Sequence, residues 1–199
     1  MPRDFGHNQA RTRIAHLAAR LMAEDGIEDY ALAKRKAARQ IGVSGLKQLP
    51  DNAEIDIALK SYRALYCQEH AHELRALRKL ALTIMDEFAQ FKPHLVGSVL
   101  SGNAGKFATI QLQLFADNAK DVELHLINCG IEYNGGTSRF YAGDFPLDVP
   151  TLAFVHSGVD IHLKLLSLHD LRRTFKTGAE GKLIERVSRA AVAALLAAE

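Results

Sequence analysis

The sequence predicts an α+β protein: a helical first half with a long spine helix, then a small mixed β-sheet and a C-terminal helix. Three observations carry that expectation. Up to residue 91 the apolar residues recur at the spacing of amphipathic helices. After Pro93 the period changes to the alternation of strands, as in Thr109-Ile110-Gln111-Leu112-Gln113-Leu114-Phe115. At the end of the chain Leu183, Ile184, Val187, Ala191, Ala194 and Leu195 return to helical spacing. The junction at residues 91–93 divides a helical region, 1–91, from an α+β domain, 92–199.

Residues 1–9 read as frayed. A first helix is expected over residues 10–24, with Ile14, Leu17, Ala18, Leu21 and Met22 on one face and Asp25-Gly26 as its stop. A second covers residues 29–41 and ends at Gly42, with Lys34, Arg35, Lys36 and Arg39 among its polar positions. Its segment AARQIGVS looks like the opening of a helix-turn-helix, but Pro50 would break the recognition helix that must follow. A solvated basic face accounts for it. The third helix, capped by Asp51 or Asn52, is expected to run on to about residue 91 on a stripe from Ile55 to Phe88. Within it, His70 and His72 point in different directions, and His70 with Glu73 supplies too few ligands for a metal site.

Strands are expected at residues 94–97 and 108–116, joined by a glycine-rich loop. A turn at 118–121 follows, and Val122, Leu124, Leu126 and Ile127 suit either a strand or a short helix. Residues 133–150 read as a loop, with Arg139 in it as a substrate-contact candidate. The runs 151–156 and 159–167 flank Ser157-Gly158, which signals a hairpin. Residues 169–174 suggest a turn or short helix, where Arg172-Arg173 could reach a phosphate or cap a helix. Gly178 and Gly181 loosen the chain before a last helix over 182–198.

Composition excludes little but is informative. The chain of 199 residues is 48% hydrophobic and 24% charged, ordinary for a globular protein, and its net charge of +2 sets up no field towards nucleic acid or membrane. Cys67 and Cys129 lie far apart without metal-like spacing, as in a reduced, cytoplasmic protein. The first residues carry no apolar signal-peptide core, and no apolar run is long enough to span a bilayer.

The stretch with chemical content is KPHLVGSVLSGNAGKFATIQLQLFAD. A phosphate-binding P-loop is rejected. Counting back from Gly105-Lys106, the first glycine falls on Leu100, the hydroxyl position is Phe107, and a strand follows where a helix must. Ser98 does not sit in a Gly-x-Ser-x-Gly nucleophile elbow either.

Gly97, Ser98 and Gly102, followed by an alternating strand, resemble the signature of the nucleotidyltransferase superfamily, with its polymerase-beta-like fold. The resemblance covers roughly residues 80–175, and the chain is similar overall to bacterial nucleotidyltransferase-like proteins with a helical N-terminal half. It implies that the Gly-Ser turn contacts a nucleotide triphosphate. It also implies that two acids on the following strand, and a third on a later one, hold two magnesium ions.

The acid positions of that pattern fall here on Thr109 and Gln111, with Gln113 continuing the face and Ile110, Leu112 and Leu114 on the core side. Magnesium is held by carboxylates plus phosphates, and neutral amides replace them poorly. The later strand VDIHLKLL offers Asp160 as the one weak metal candidate, with His162 and Lys164 alternating on its face. The expectation is therefore a metal-free binding protein of this fold. Its site residues would be Gly97, Ser98, Gly102, Thr109, Gln111, Gln113, His162 and Lys164, and its ligand a nucleotide, an RNA or a protein partner. The alternatives are a magnesium-dependent transferase with displaced acids (Asp117, Asp121, Glu123, Asp160) and a structural module that forms a homodimer through its long apolar helix.

Overall fold

The computed structural model describes residues 3–27, 29–42, 49–66, 69–105, 108–177 and 183–198. Cys67, Lys106, Phe107, Gly178, Gly181 and Lys182, which figure in the sequence reading, lie outside them. The described residues fall into two compact units. One runs up to Glu73 and includes Gly105; the other takes in 74–104 and the residues from Ala108 onward. The expected junction at residues 91–93 lies inside the second unit.

The first unit is built on three helices, α1 (Arg3–Glu24), α2 (Tyr30–Ile41) and α3 (Asn52–Tyr66). Helix α1 starts at Arg3, earlier than the frayed N-terminus expected from the sequence. Its core is rich in alanine: Ala15, Ala18, Ala19, Ala33, Ala37, Ala38 and Ala58 pack with Ile14, Met22, Ile55 and Leu59. Small side chains let helix axes approach closely, and the few large ones then fill the remaining space. Asp29 caps α2 by accepting from the N–H groups of Ala31 and Leu32, and Gly42 ends it in the left-handed conformation at φ 76°. At the start of α3, Asp51 and Glu54 cap each other's backbone N–H, and Arg11 donates two nitrogens to the Glu54 carboxylate. On α2, Arg35, Lys36 and Arg39 are exposed, which is the solvated basic face.

The second unit is a six-stranded mixed sheet in the order β3-β4-β5-β2-β1-β6. In chain order its elements are α4 (His70–Glu87) from Leu74 on, a 3-10 turn (Ala89–Phe91), β1 (His94–Val96), α5 (Ser98–Ser101), β2 (Ile110–Phe115), α6 (Ala119–Asn128), β3 (Asn134–Ala142), β4 (Phe145–His156), β5 (Val159–Leu166), a second 3-10 turn (Leu168–Arg172), β6 (Arg186–Ser188) and α7 (Arg189–Ala198). Strands β2 and β5 run parallel, and the other neighbours are antiparallel. One face of the sheet carries the main core. Ile110, Leu112 and Leu114 of β2 and Ile161, Leu163 and Leu165 of β5 meet Ile84, Met85 and Phe88 of the α4 segment, Val122 and Leu126 of α6, and Val192 of α7. The opposite face holds a smaller cluster of Phe115, Phe140, Val149, Leu166 and Phe175.

Several expectations change. The spine helix is two helices, α3 and α4: Ile55 and Leu59 serve the first core and Leu74, Ala81 and Ile84 the second. Between them Leu65 is 71% exposed, so the stripe is not buried throughout. A helical period fixes a face, and it does not show that one unbroken helix carries the whole stripe. Residues 119–128 are a helix capped by Asn118, which accepts from the N–H of Lys120, so the strand alternative falls.

Residues 133–150 are largely strand. Pro146 and Pro150 sit where β4 pairs only with β3, so their missing N–H groups break no bond to a second strand. Arg139 is accordingly on β3, tied to Asp148 of β4 at 2.9 Å, and not in a loop. Residues 186–188 extend the sheet along β1 before the last helix begins. Among the described residues no helix is long and apolar enough to cross a membrane.

Candidate functional site

The glycine turn is built from both sides. Strand β1 ends at Val96, and Gly97 adopts φ 79° and ψ −155°, a region that only glycine occupies without strain. One turn of helix, α5, follows and closes at Gly102, whose N–H and that of Asn103 both donate to the Ser98 carbonyl. Arg78 of α4 lies beneath and is 7% exposed. Its Nε donates to the Val99 carbonyl at 3.1 Å and its Nη2 to the Leu100 carbonyl at 2.9 Å. A guanidinium thus satisfies carbonyls that so short a helix cannot.

Register then determines which side chains meet. Leu112, Leu163 and Leu152 are aligned across β2, β5 and β4 and enter the core, so their neighbours point to the other face. Gln111 pairs with His162, and Gln113 with Lys164. Lys164 reaches across to donate its Nζ to Gln111 Oε1 at 2.7 Å, and its ammonium lies 5.2 Å from the centre of the Phe140 ring. Gly97 faces the same glutamine: a methyl group there would stand 3.3 Å from Gln111 Cδ. The structure therefore brings Gly97, Gln111 and Lys164 together, with His162 half-buried alongside.

Against protein-family models, curated proteins and solved structures, the chain has no match.

The other candidates divide. Thr109 is half-buried immediately before β2, and Ser98 opens α5. Gln113 is drawn inside. It is 1% exposed, its Oε1 accepts from Arg186 Nη1 at 3.4 Å, and its buried Nε2 has no hydrogen-bond partner. Arg186 also donates to the carbonyls of Asp170 and Leu171 and stacks over Phe115, 5.2 Å from the ring centre. Burial lowers its pKa, against the opposing charge of Asp170.

Asp170 is itself buried, accepting from the Ser167 N–H and hydroxyl and from Arg173. Arg172 is exposed, and Arg173 belongs to this cap. Asp160, at the start of β5, is exposed, and among the described residues no three His, Cys, Asp or Glu side chains gather where they could hold a metal. At the two acid positions Thr109 and Gln111 offer only neutral oxygens, a donor set that fits magnesium poorly.

Two arginines were not singled out from the sequence. Arg78 stands at the core spacing of Leu74, Ala81 and Met85, so an arginine in a buried stripe was the signal for it. Arg186 carries no local signal, because its partners Gln113 and Asp170 are distant in the chain.

His94 gives the unit a pH response. Burial is the main force that pushes its pKa down. The bond from its ring to the Lys92 carbonyl works the other way, and the nearby Arg186 charge adds to the lowering. The unfolded chain then binds the proton more readily, so stability is full above the unfolded value of about 6.5 and is lost as pH falls through the folded value. Thermal melts across this range are expected to slope downward on acidification, and His94→Gln to flatten the slope. A slope unchanged in that variant would remove His94 as its source.

Proposed function

We propose that this protein binds a phosphorylated nucleotide on the sheet face around Gly97, Gln111 and Lys164. It does so without a metal ion and on a nucleotidyltransferase-type sheet that has lost its paired acids. The observation that carries the reading is the Lys164 ammonium bonded to the Gln111 amide oxygen at 2.7 Å. In the resembled fold that strand position supplies a carboxylate to magnesium. Here its oxygen is taken by a cation, which repels a second cation and attracts a phosphate. The later strand of that pattern, β5, lies parallel beside β2, which supports the same reading.

The test is thermal stabilisation by nucleoside triphosphates in the presence of a chelator. At a hundredfold excess over Kd the expected gain is about 2.7 kcal/mol. Lys164→Met removes one charge-assisted contact, worth about 1.5–3 kcal/mol, so binding should weaken roughly 10- to 100-fold. Stabilisation that requires magnesium, or labelled nucleotide transferred to an acceptor and lost in Asp160→Ala, would instead establish the active transferase.

A further inference from the structure

Away from this face, helix α6 and the turn after α4 assemble a nucleophile, a base and an orienting group. Cys129 is exposed at the C-terminal end of α6. His125 lies one helical turn before it, and residues four apart share a helix face. The His125 Nε2 is 3.8 Å from the Cys129 Sγ. Its Nδ1 is 3.1 Å from the side-chain amide nitrogen of Gln90, Nε2. The imidazole is also held by two rings that it meets edge-on, Phe88 at 5.0 Å and Phe91 at 5.6 Å. These contacts orient the imidazole with Nε2 toward the sulfur.

We propose that Cys129 is a base-assisted surface thiol, the site at which this protein is modified by small soluble disulfides. His125 acts as the base, and Gln90 and the two phenylalanines position it. Gln90 is exposed, so its amide can turn over. With its Oε1 accepting from Nδ1–H, Nε2 carries the lone pair and takes the thiol proton. The resulting imidazolium donates from both nitrogens, to the Gln90 oxygen and to the thiolate. The thiolate attacks one sulfur of the disulfide, a bond forms between Sγ and that sulfur, and the S–S bond of the reagent breaks. The departing thiolate takes the proton back from His125. Cys129 is thereby oxidised to a mixed disulfide, and half of the reagent is reduced to thiol, so no further oxidant is needed.

The experiment measures the rate at which the folded, full-length chain reacts with 5,5′-dithiobis(2-nitrobenzoate) and with oxidised glutathione at neutral pH. Mass spectrometry locates the adduct. The fast phase should vanish in Cys129→Ser and persist in Cys67→Ser. It should slow by at least about tenfold in His125→Ala, since a positioned base supplies roughly a hundredfold or more. Because His125 touches two core phenylalanines, Gln90→Leu serves as the second variant. It alters only an exposed side chain and should slow the fast phase several-fold while leaving the melting midpoint unchanged. Equal rates in the wild type, Gln90→Leu and a folded His125→Ala would overturn the proposal, as would an adduct confined to Cys67.

Discussion

Gly97→Ala is expected to give a protein that melts lower and loses its nucleotide response. The backbone at φ 79° and ψ −155° lies where a side chain costs about 1–3 kcal/mol. For a chain of this size that corresponds to a midpoint lower by roughly 3–10 °C. The added methyl also stands 3.3 Å from the Gln111 side chain, closer than ordinary packing permits. Gln111 must move, and with it the oxygen that Lys164 holds. Gly102→Ala is the control. It too has a positive φ, 80°, but its methyl would meet only Arg78 and Leu74 at an ordinary 3.8 Å, so its cost is confined to the backbone. Melting and nucleotide titration of the pair check this: a Gly102 variant as impaired in binding as the Gly97 variant would detach the turn from the ligand site.

Arg78→Met is expected to loosen the same turn from below. The substitution keeps an apolar stem of similar length and removes the guanidinium. Two carbonyls, Val99 and Leu100, then lose their donor in a setting where the Val99 side chain is fully buried. Bonds from a charged donor contribute about 1.5–3 kcal/mol each, so a loss of roughly 3 kcal/mol is a fair expectation after relaxation. Arg78→Lys can reach one carbonyl at a time and should fall between. Hydrogen exchange gives the local readout. The amides of Gly102 and Asn103, both bonded to the Ser98 carbonyl, should exchange faster in Arg78→Met, while those of β4 and β5 stay protected. Uniform loss of protection would mean that Arg78 supports the whole unit and not the turn in particular.

How much of this was legible beforehand varies with the range of the interaction. The alternation in β2 identified Ile110, Leu112 and Leu114 as core and Gln111 as facing away from it, because a strand's period is local. Ser157-Gly158 announced the hairpin between β4 and β5 for the same reason, and Ser157 does adopt a positive φ of 51°. The β3–β4 ribbon was missed because Gly135, Gly136, Pro146 and Pro150 are loop residues by local preference. Their strand conformation comes from pairing with each other and, in part of β4, with β5. Gln113 has the same residue type and strand face as Gln111, yet it is buried beneath Arg186. No spacing within β2 could separate the two.

By itself the sequence determined the α+β order of elements, the glycine turn after β1 and the neutral residues on the strand that follows. These rest on backbone preference and on periods of two or about four residues, which neighbouring residues encode. Only the tertiary structure decided that Lys164, 53 residues from Gln111, places its ammonium on that amide. It also decided that Arg78 holds the turn, that β6 extends the sheet beyond β1, and that His125 meets Phe88 and Phe91. Each of these is a contact between segments distant in the chain, set by register and packing once the sheet has formed.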